Sequence, residues 1–231
     1  MMFPINWIGR KDCDVKDKLC KDSNGNMVAC STTTGRFDAM PSADLTTREV
    51  VQYFADNFGF NTQETVAIMG GHNLGFASRT NSGYDGIGGW HLDPTALNRG
   101  YYAALNLTKW NLTFVNNSDI PMMHDKYQWN LNNVRNASAP PSFMLNADMA
   151  IVRDMEGNLN SSTGFVSCQF ACPGCKNPNP PVCPYANLTF SYAVEYKLNE
   201  TKFLYDFRDA FNKMLTRGYD TTYCSAGCPL E

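Results

Sequence analysis

The sequence predicts a mainly α fold interrupted by long irregular loops, from three observations. Capped helical periodicity recurs at residues 46–59 and 61–71, an apolar stripe runs through residues 203–215, and Gly-, Pro- and Cys-rich stretches separate them. The chain has 231 residues, 43% hydrophobic and 18% charged, a globular composition long enough to bury a core. A net charge of −3 excludes an overall basic nucleic-acid binder. No stretch approaches the ~18 consecutive apolar residues of a membrane helix. With 14 Phe, 11 Tyr and 4 Trp, disorder is excluded as well.

Residues 1–41 read as an irregular region bearing Cys13, Cys20 and Cys30. Thr46-x-x-Glu49 forms a capping box ahead of Val50, Val51, Phe54 and Phe58, and Gly59 stops that helix. Asn61 with Glu64 opens a second helix, whose buried face is Val66, Ala67, Ile68 and Met69 and which ends at Gly70-Gly71. The glycines of residues 78–92 indicate loop or a short hairpin. Asp93-Pro94 is an N-cap and N1 pair, opening a helix through Tyr101, Tyr102 and Leu105. Residues 106–141 read as a surface excursion ending at Pro140-Pro141. Asn146 caps a short helix through Met149, Ile151 and Val152, and residues 156–198 form a cysteine- and proline-rich insertion. The last helix starts at Asn199 or Thr201, places Phe203, Leu204, Phe207, Phe211, Met214 and Leu215 on one face, and meets Gly218 at its C′ position.

Cysteine and asparagine usage bear on the compartment. There are nine cysteines, and Cys168, Cys172, Cys175 and Cys183 admit two readings: a zinc site through Cys172-x-x-Cys175, or local disulfides. The pattern Asn-x-Ser/Thr occurs seven times, at Asn106, Asn111, Asn116, Asn136, Asn160, Asn187 and Asn199. Chance pairing in this composition gives about 3. Sequons and disulfides belong together in the secretory route, so a secreted, extracellular chain is expected, with disulfides favoured over zinc. The odd cysteine implies a free thiol or an outside partner. Met1 to Trp7 lack the apolar core of a signal peptide, so the chain is expected to begin inside a longer protein.

Of the three histidines, His72 is the unusual one, because it follows two glycines that let a planar group approach the backbone. The run Thr65-Val66-Ala67-Ile68-Met69-Gly70-Gly71-His72-Asn73-Leu74-Gly75 resembles the proximal-histidine segment of the plant, fungal and bacterial haem peroxidase superfamily. Further segments fall in the family's order: Ile5-x-Trp7-x-Gly9-Arg10-Lys11-Asp12-Cys13, Ser82 to Gly86, Trp90, Asn98-x-x-Tyr101-Tyr102, Met144 to Ala150, and Phe207 to Met214. The resemblance is to the branch containing cytochrome c peroxidase and ascorbate peroxidase. It implies a haem-peroxidase-like helical fold of which residues 1–231 are the proximal portion.

The same resemblance implies site roles. His72 is the axial ligand of the iron of haem b, flanked by Gly71 and Gly75. Asp148 takes the other ring N–H of His72, and Trp90 packs beneath the histidine, where it is expected as a catalytic residue that tunes or holds the radical. Without the resemblance, Asp148 reads equally as a helix-capping carboxylate and Trp90 as a core aromatic. The positions that contact the haem propionates carry Phe76 and Ser78. The arginine that ascorbate peroxidase uses is replaced by Asn81, with Arg79 two residues earlier. Asp93 and Asn98 match oxygens of the proximal cation site, but Asn73 and His91 stand at its hydroxyl positions, leaving a bound cation unsupported.

Nothing in the sequence resembles the family's distal Arg-x-x-Phe-His-like helix, which handles the peroxide protons. The expected function is therefore a haem peroxidase, reducing H2O2 with one-electron oxidation of an unknown small donor. Little turnover is expected from these residues alone, and the distal half would come from upstream sequence. The alternative is a non-enzymatic, secreted haem-binding or matrix glycoprotein on a degenerate scaffold.

Overall fold

The computed structural model describes residues 19–21, 27–29, 41–91, 93–106, 110–131, 142–170, 176 and 179–216. The chain divides into two units, Met1–Pro41 and Ser42–Glu231. In the first, β1 (Leu19–Lys21) pairs antiparallel with β2 (Met27–Ala29). The readings that involve Cys13, Cys30, Asn136 and Gly218, and the segment Ile5–Cys13, lie outside the described residues.

The second unit is mainly helical. α1 (Thr47–Phe58) starts where Glu49 accepts hydrogen bonds from both the backbone N–H and the hydroxyl of Thr46, at 2.8 Å each. It stops at Gly59, whose φ of 66° is left-handed. α2 (Thr62–Met69) is capped by Asn61, whose Oδ1 accepts the Glu64 N–H at 2.8 Å. A 3-10 turn, Gly70–Asn73, continues directly from α2 and carries His72. α6 (Phe190–Leu198) and α7 (Glu200–Thr216) pack beside α2, with Phe203 fully buried against Tyr102 at a ring separation of 5.0 Å. The described residues of the cysteine-rich segment before Phe190 lie in no helix or strand, and the segment then enters α6.

Two expectations are corrected. The helix expected from Pro94 begins only at Gly100: α4 is Gly100–Leu105. The Asp93 carboxylate is taken by the N–H and hydroxyl of Thr95, at 3.2 and 2.6 Å, and so closes a local turn instead of capping a helix. The glycine-bearing segment after Ser78 opens with one helical turn, α3 (Arg79–Ser82).

The second correction concerns residues 106–141, read as an excursion, which contribute two strands. β3 (Trp110–Val115) pairs antiparallel with β4 (Lys126–Leu131), in register from Trp110↔Leu131 to Val115↔Lys126. β4 pairs with β5 (Ser142–Met144) through Trp129↔Met144. β5 leads straight into α5 (Asn146–Met149), the turn that bears Asp148. The buried Trp129 Nε1–H donates to Asn146 Oδ1 at 2.8 Å and ties that turn to the sheet.

Cys168 and Cys183 are bonded to each other. That bond takes two thiolates from the zinc reading and favours the disulfide one; Cys172 and Cys175 lie outside the described residues. Among the described residues no helix is long and apolar enough to cross a membrane.

Candidate functional site

Three elements converge on the Asp148 carboxylate, which is fully buried. From the turn after α2, His72 Nδ1 lies 2.6 Å from Asp148 Oδ1. From the loop before α4, Trp90 Nε1–H donates to Oδ2 at 3.0 Å. From α4, the Tyr101 hydroxyl donates to Oδ1 at 2.8 Å. The Leu145 backbone N–H, at the start of α5, donates to Oδ2 at 2.8 Å. The His72 and Trp90 rings stack at 4.3 Å and 25°, and Phe143 of β5 backs Trp90 at 4.6 Å. Gly86 leaves room for that phenyl ring: a Cβ there would lie 2.3 Å from Phe143.

Burial alone would raise the Asp148 carboxyl. The His72 ring, the Leu145 N–H and the Tyr101 hydroxyl outweigh it and hold the carboxyl below the usual carboxylate range. Burial, reinforced by the carboxylate, pushes the Tyr101 hydroxyl well above its ordinary value, so it remains a donor. An ionised carboxylate only accepts, which places the His72 proton on Nδ1 and leaves the Nε2 lone pair free when the ring is neutral. Among the described residues none hydrogen-bonds to Nε2, and 35% of the His72 side chain is exposed. A half-open imidazole with one nitrogen tied to a buried carboxylate and the other offered outward is the donor set of a single axial ligand. Those residues fit haem. Among the described residues no group of three or more His, Cys, Asp and Glu converges as a chelating metal site.

His72, Trp90 and Asp148 are thus brought into one cluster. The other four expected residues flank it without bonding to it. Gly71 adjoins His72 in the 3-10 turn, and the nearest atom to a Cβ there would be Phe207 at 3.6 Å. Gly75 has a left-handed φ of 83° and donates its N–H to the Pro94 carbonyl at 2.8 Å. Phe76 is 62% exposed. Ser78 pairs its hydroxyl with Thr80 at 2.8 Å and precedes α3.

The residues matched to a cation site spend their polar atoms on neighbouring protein groups. Asn98 Oδ1 accepts from the Gly100 N–H at 2.6 Å, and Asn73 Oδ1 from the Tyr101 N–H at 3.0 Å. The Asp93 N–H donates to His91 Nδ1 at 3.3 Å, so Nε2–H of His91 donates to the Asn73 carbonyl at 3.0 Å. Arg79 bonds the Asn116 carbonyl, Asn117 and Asp119.

Sequence reasoning missed the Tyr101 hydroxyl and the Phe143 ring as members of the cluster. Asn98-x-x-Tyr101-Tyr102 is visible as a motif, but which of two adjacent tyrosines points at Asp148 depends on the late start of α4.

The Peroxidase family model matches residues 4–163, more than half of the chain. The chain belongs to the peroxidase family, within the haem peroxidase superfamily. It is 32% identical to a mitochondrial cytochrome c peroxidase of Aspergillus fumigatus over 130 residues, 56% of this chain and 30% of that relative. It is 26% identical to the mitochondrial cytochrome c peroxidase of Yarrowia lipolytica over 166 residues, 70% of this chain and 34% of the relative. Other relatives carry heme-binding peroxidase in their names, among them one of Mycosarcoma maydis, 38% identical over 60 residues, 26% of this chain and 18% of the relative. The matched region spans about a third or less of the length of these relatives.

The relatives overturn the expectation of secretion. Those of Aspergillus fumigatus, Neurospora crassa, Yarrowia lipolytica and Pyricularia oryzae are named as mitochondrial, which points to the mitochondrion rather than the secretory route. Four of the seven Asn-x-Ser/Thr asparagines have local structural roles. Asn116 and Asn160 accept the N–H of the residue two further on, at 2.9 and 3.0 Å. Asn199 accepts the Lys202 N–H at 3.0 Å, and Asn106 donates to the Tyr102 carbonyl at 2.9 Å. These are the turns and helix ends that asparagine favours in any compartment.

Proposed function

We propose that the chain is the proximal, haem-binding portion of a haem-dependent peroxidase that reduces H2O2 with one-electron oxidation of a donor. One observation carries the reading: a buried carboxylate holds His72 Nδ1 at 2.6 Å and leaves Nε2, on a side chain 35% exposed, without a hydrogen-bond partner among the described residues. In this reading His72 is the axial ligand of haem b, Asp148 fixes its tautomer, and Trp90 holds the ring from one face through their stacking contact. When bound, haem supplies the iron through which electrons pass from donor to peroxide. Asp148 draws on the Nδ1 proton and makes Nε2 a stronger electron donor than a free imidazole. Leu74 and Phe76, both exposed beside His72, offer apolar surface to a flat ligand. In the same reading Gly71, which carries no side chain next to His72, and Gly75 and Ser78 further along the segment contribute to holding the cofactor.

Residues 1–231 form the proximal part of the peroxidase domain, with residues 156–198 as an insertion within it. The acid/base pair that moves the peroxide protons is assigned to a distal portion preceding these residues. Cytochrome c, named for the relatives, is the first donor to test.

Titration of the whole chain with haemin tests the reading. The native chain is expected to give the absorption spectrum of histidine-ligated haem. His72→Ala is expected to lose that spectrum while keeping its far-UV circular dichroism. An unchanged spectrum in His72→Ala contradicts the assignment. Haem binding without peroxide consumption by the whole protein would instead leave a haem carrier.

A further inference from the structure

Asp148 carries four donors, two on each oxygen: His72 and Tyr101 on Oδ1, Trp90 and Leu145 on Oδ2. A carboxylate offers about four lone-pair directions, so the set is full. The buried group accepts nothing further, and each donor weakens the others that share its oxygen.

We propose that Tyr101 is a positioning residue for His72 that acts through Asp148: by sharing Oδ1, its hydroxyl limits how strongly the carboxylate draws the imidazole proton and keeps Oδ2 turned toward Trp90. Tyr101 is fully buried, and its hydroxyl has Asp148 as its one recorded partner among the described residues. Its ring stands edge-on to His72 at 6.2 Å and 79°, so it touches the imidazole's surroundings without stacking on it.

A second set of contacts ties Tyr101 to the same turn that carries His72. The Tyr101 N–H donates to Asn73 Oδ1 at 3.0 Å, and Asn73 Nδ2 donates to the Gly70 carbonyl at 2.9 Å. Backbone and hydroxyl of one residue therefore grip both ends of the His72–Asp148 pair. The adjacent Tyr102 supplies an internal control. It is equally buried, but its hydroxyl donates to the Val66 carbonyl at 2.7 Å and has no contact with Asp148.

The experiment reads the His72 Nδ1–H proton by NMR in the whole chain without haem, assigned by its loss in His72→Gln. Removing the competing donor in Tyr101→Phe is expected to move the resonance further downfield, the direction of a tighter hydrogen bond. Site-specific 3-fluorotyrosine at position 101, a stronger phenolic donor, is expected to move it upfield. Tyr102→Phe should leave it in place while costing comparable stability. If the resonance stays put in both position-101 variants, or moves as it does in Tyr102→Phe, Tyr101 is a packing residue and the proposal falls. The fluorotyrosine variant keeps the test open should Tyr101→Phe fold poorly.

A second arm rests on the reading of His72 as the haem ligand. In the haem-loaded chain, Tyr101→Phe should lower the ferric/ferrous midpoint potential, because a more anionic imidazole favours ferric iron. A chain that takes up no haem would defeat the proposed function, whereas the haem-free arm still decides the coupling. A raised or unchanged potential beside the downfield shift would overturn the proposal's claim on the ligand.

Discussion

Asp148 caps its own helix and holds His72 with different oxygens: Oδ2 takes the Leu145 N–H at the start of α5, and Oδ1 faces His72. The capping and histidine-binding readings left open by the sequence therefore coexist, and the cap orients the carboxylate for its other partner. The glycines before His72 differ in the same way. A Cβ on Gly70 would lie 2.5 Å from both Phe203 and the Tyr102 hydroxyl, inside the core. One on Gly71 would meet Phe207 at an ordinary 3.6 Å. Gly70→Ala is expected to cost about 1–3 kcal/mol by overpacking, and Gly71→Ala under about 0.5 kcal/mol, both read by urea denaturation. A cost for Gly71→Ala as large as that for Gly70→Ala would contradict this placement. The sequence shows the pair Gly70-Gly71 but not which one faces Phe203, since that contact comes from α7, more than 130 residues later.

At the scale of elements, α1, α2 and α7 were legible because caps and apolar period agree there. α4 and the three-stranded sheet were not. Asp93-Pro94 is a good helix start by local chemistry, but Thr95 claims the carboxylate. Trp110, Leu112 and Phe114 alternate with Asn111 and Thr113, but this alternation is short and does not match the burial, since Phe114 is exposed and Val115 buried, and the pairing with β4 spans a connection that no short-range pattern reveals. The sheet matters to the site because Asn146, buried at the head of α5, bonds Trp129, Asp44 and the Gly164 carbonyl. Asn146→Ala leaves those groups unpartnered and is expected to cost about 2–4 kcal/mol. It should also loosen the turn bearing Asp148, seen as earlier amide exchange at residues 146–149. At the head of α1, Thr46→Ala should cost about 1 kcal/mol through loss of the capping box. A melting curve that does not move would remove the cap from the account of α1.

Across the whole molecule, the cluster at Asp148 was legible in kind, because His72, Trp90 and Asp148 lie in recognisable motifs spread over 77 positions. Compartment was not: sequons count asparagines without distinguishing a glycan acceptor from a turn, and here several cap turns and helix ends. Acid sensitivity follows from His91. Burial holds its pKa below 6.5, against the opposing pull of the Asn73 carbonyl and Asp93. The unfolded histidine therefore takes up a proton first. The stability held by neutral His91 is full above about pH 6.5 and is lost as pH falls below it. Thermal melts should show a steeper fall below that pH for the native chain than for His91→Gln; parallel curves would contradict the buried neutral state.

The measurement that bears most directly on the central claim is the ferric/ferrous midpoint potential of the haem-loaded chain, native against Asp148→Asn. Asparagine keeps the size of the side chain but cannot draw the Nδ1 proton as a carboxylate does. The account predicts a higher potential and a haem affinity lower by about 10–100-fold. The same potential and affinity in both proteins would mean that Asp148, though 2.6 Å from His72, does not govern the ligand, and would contradict the account.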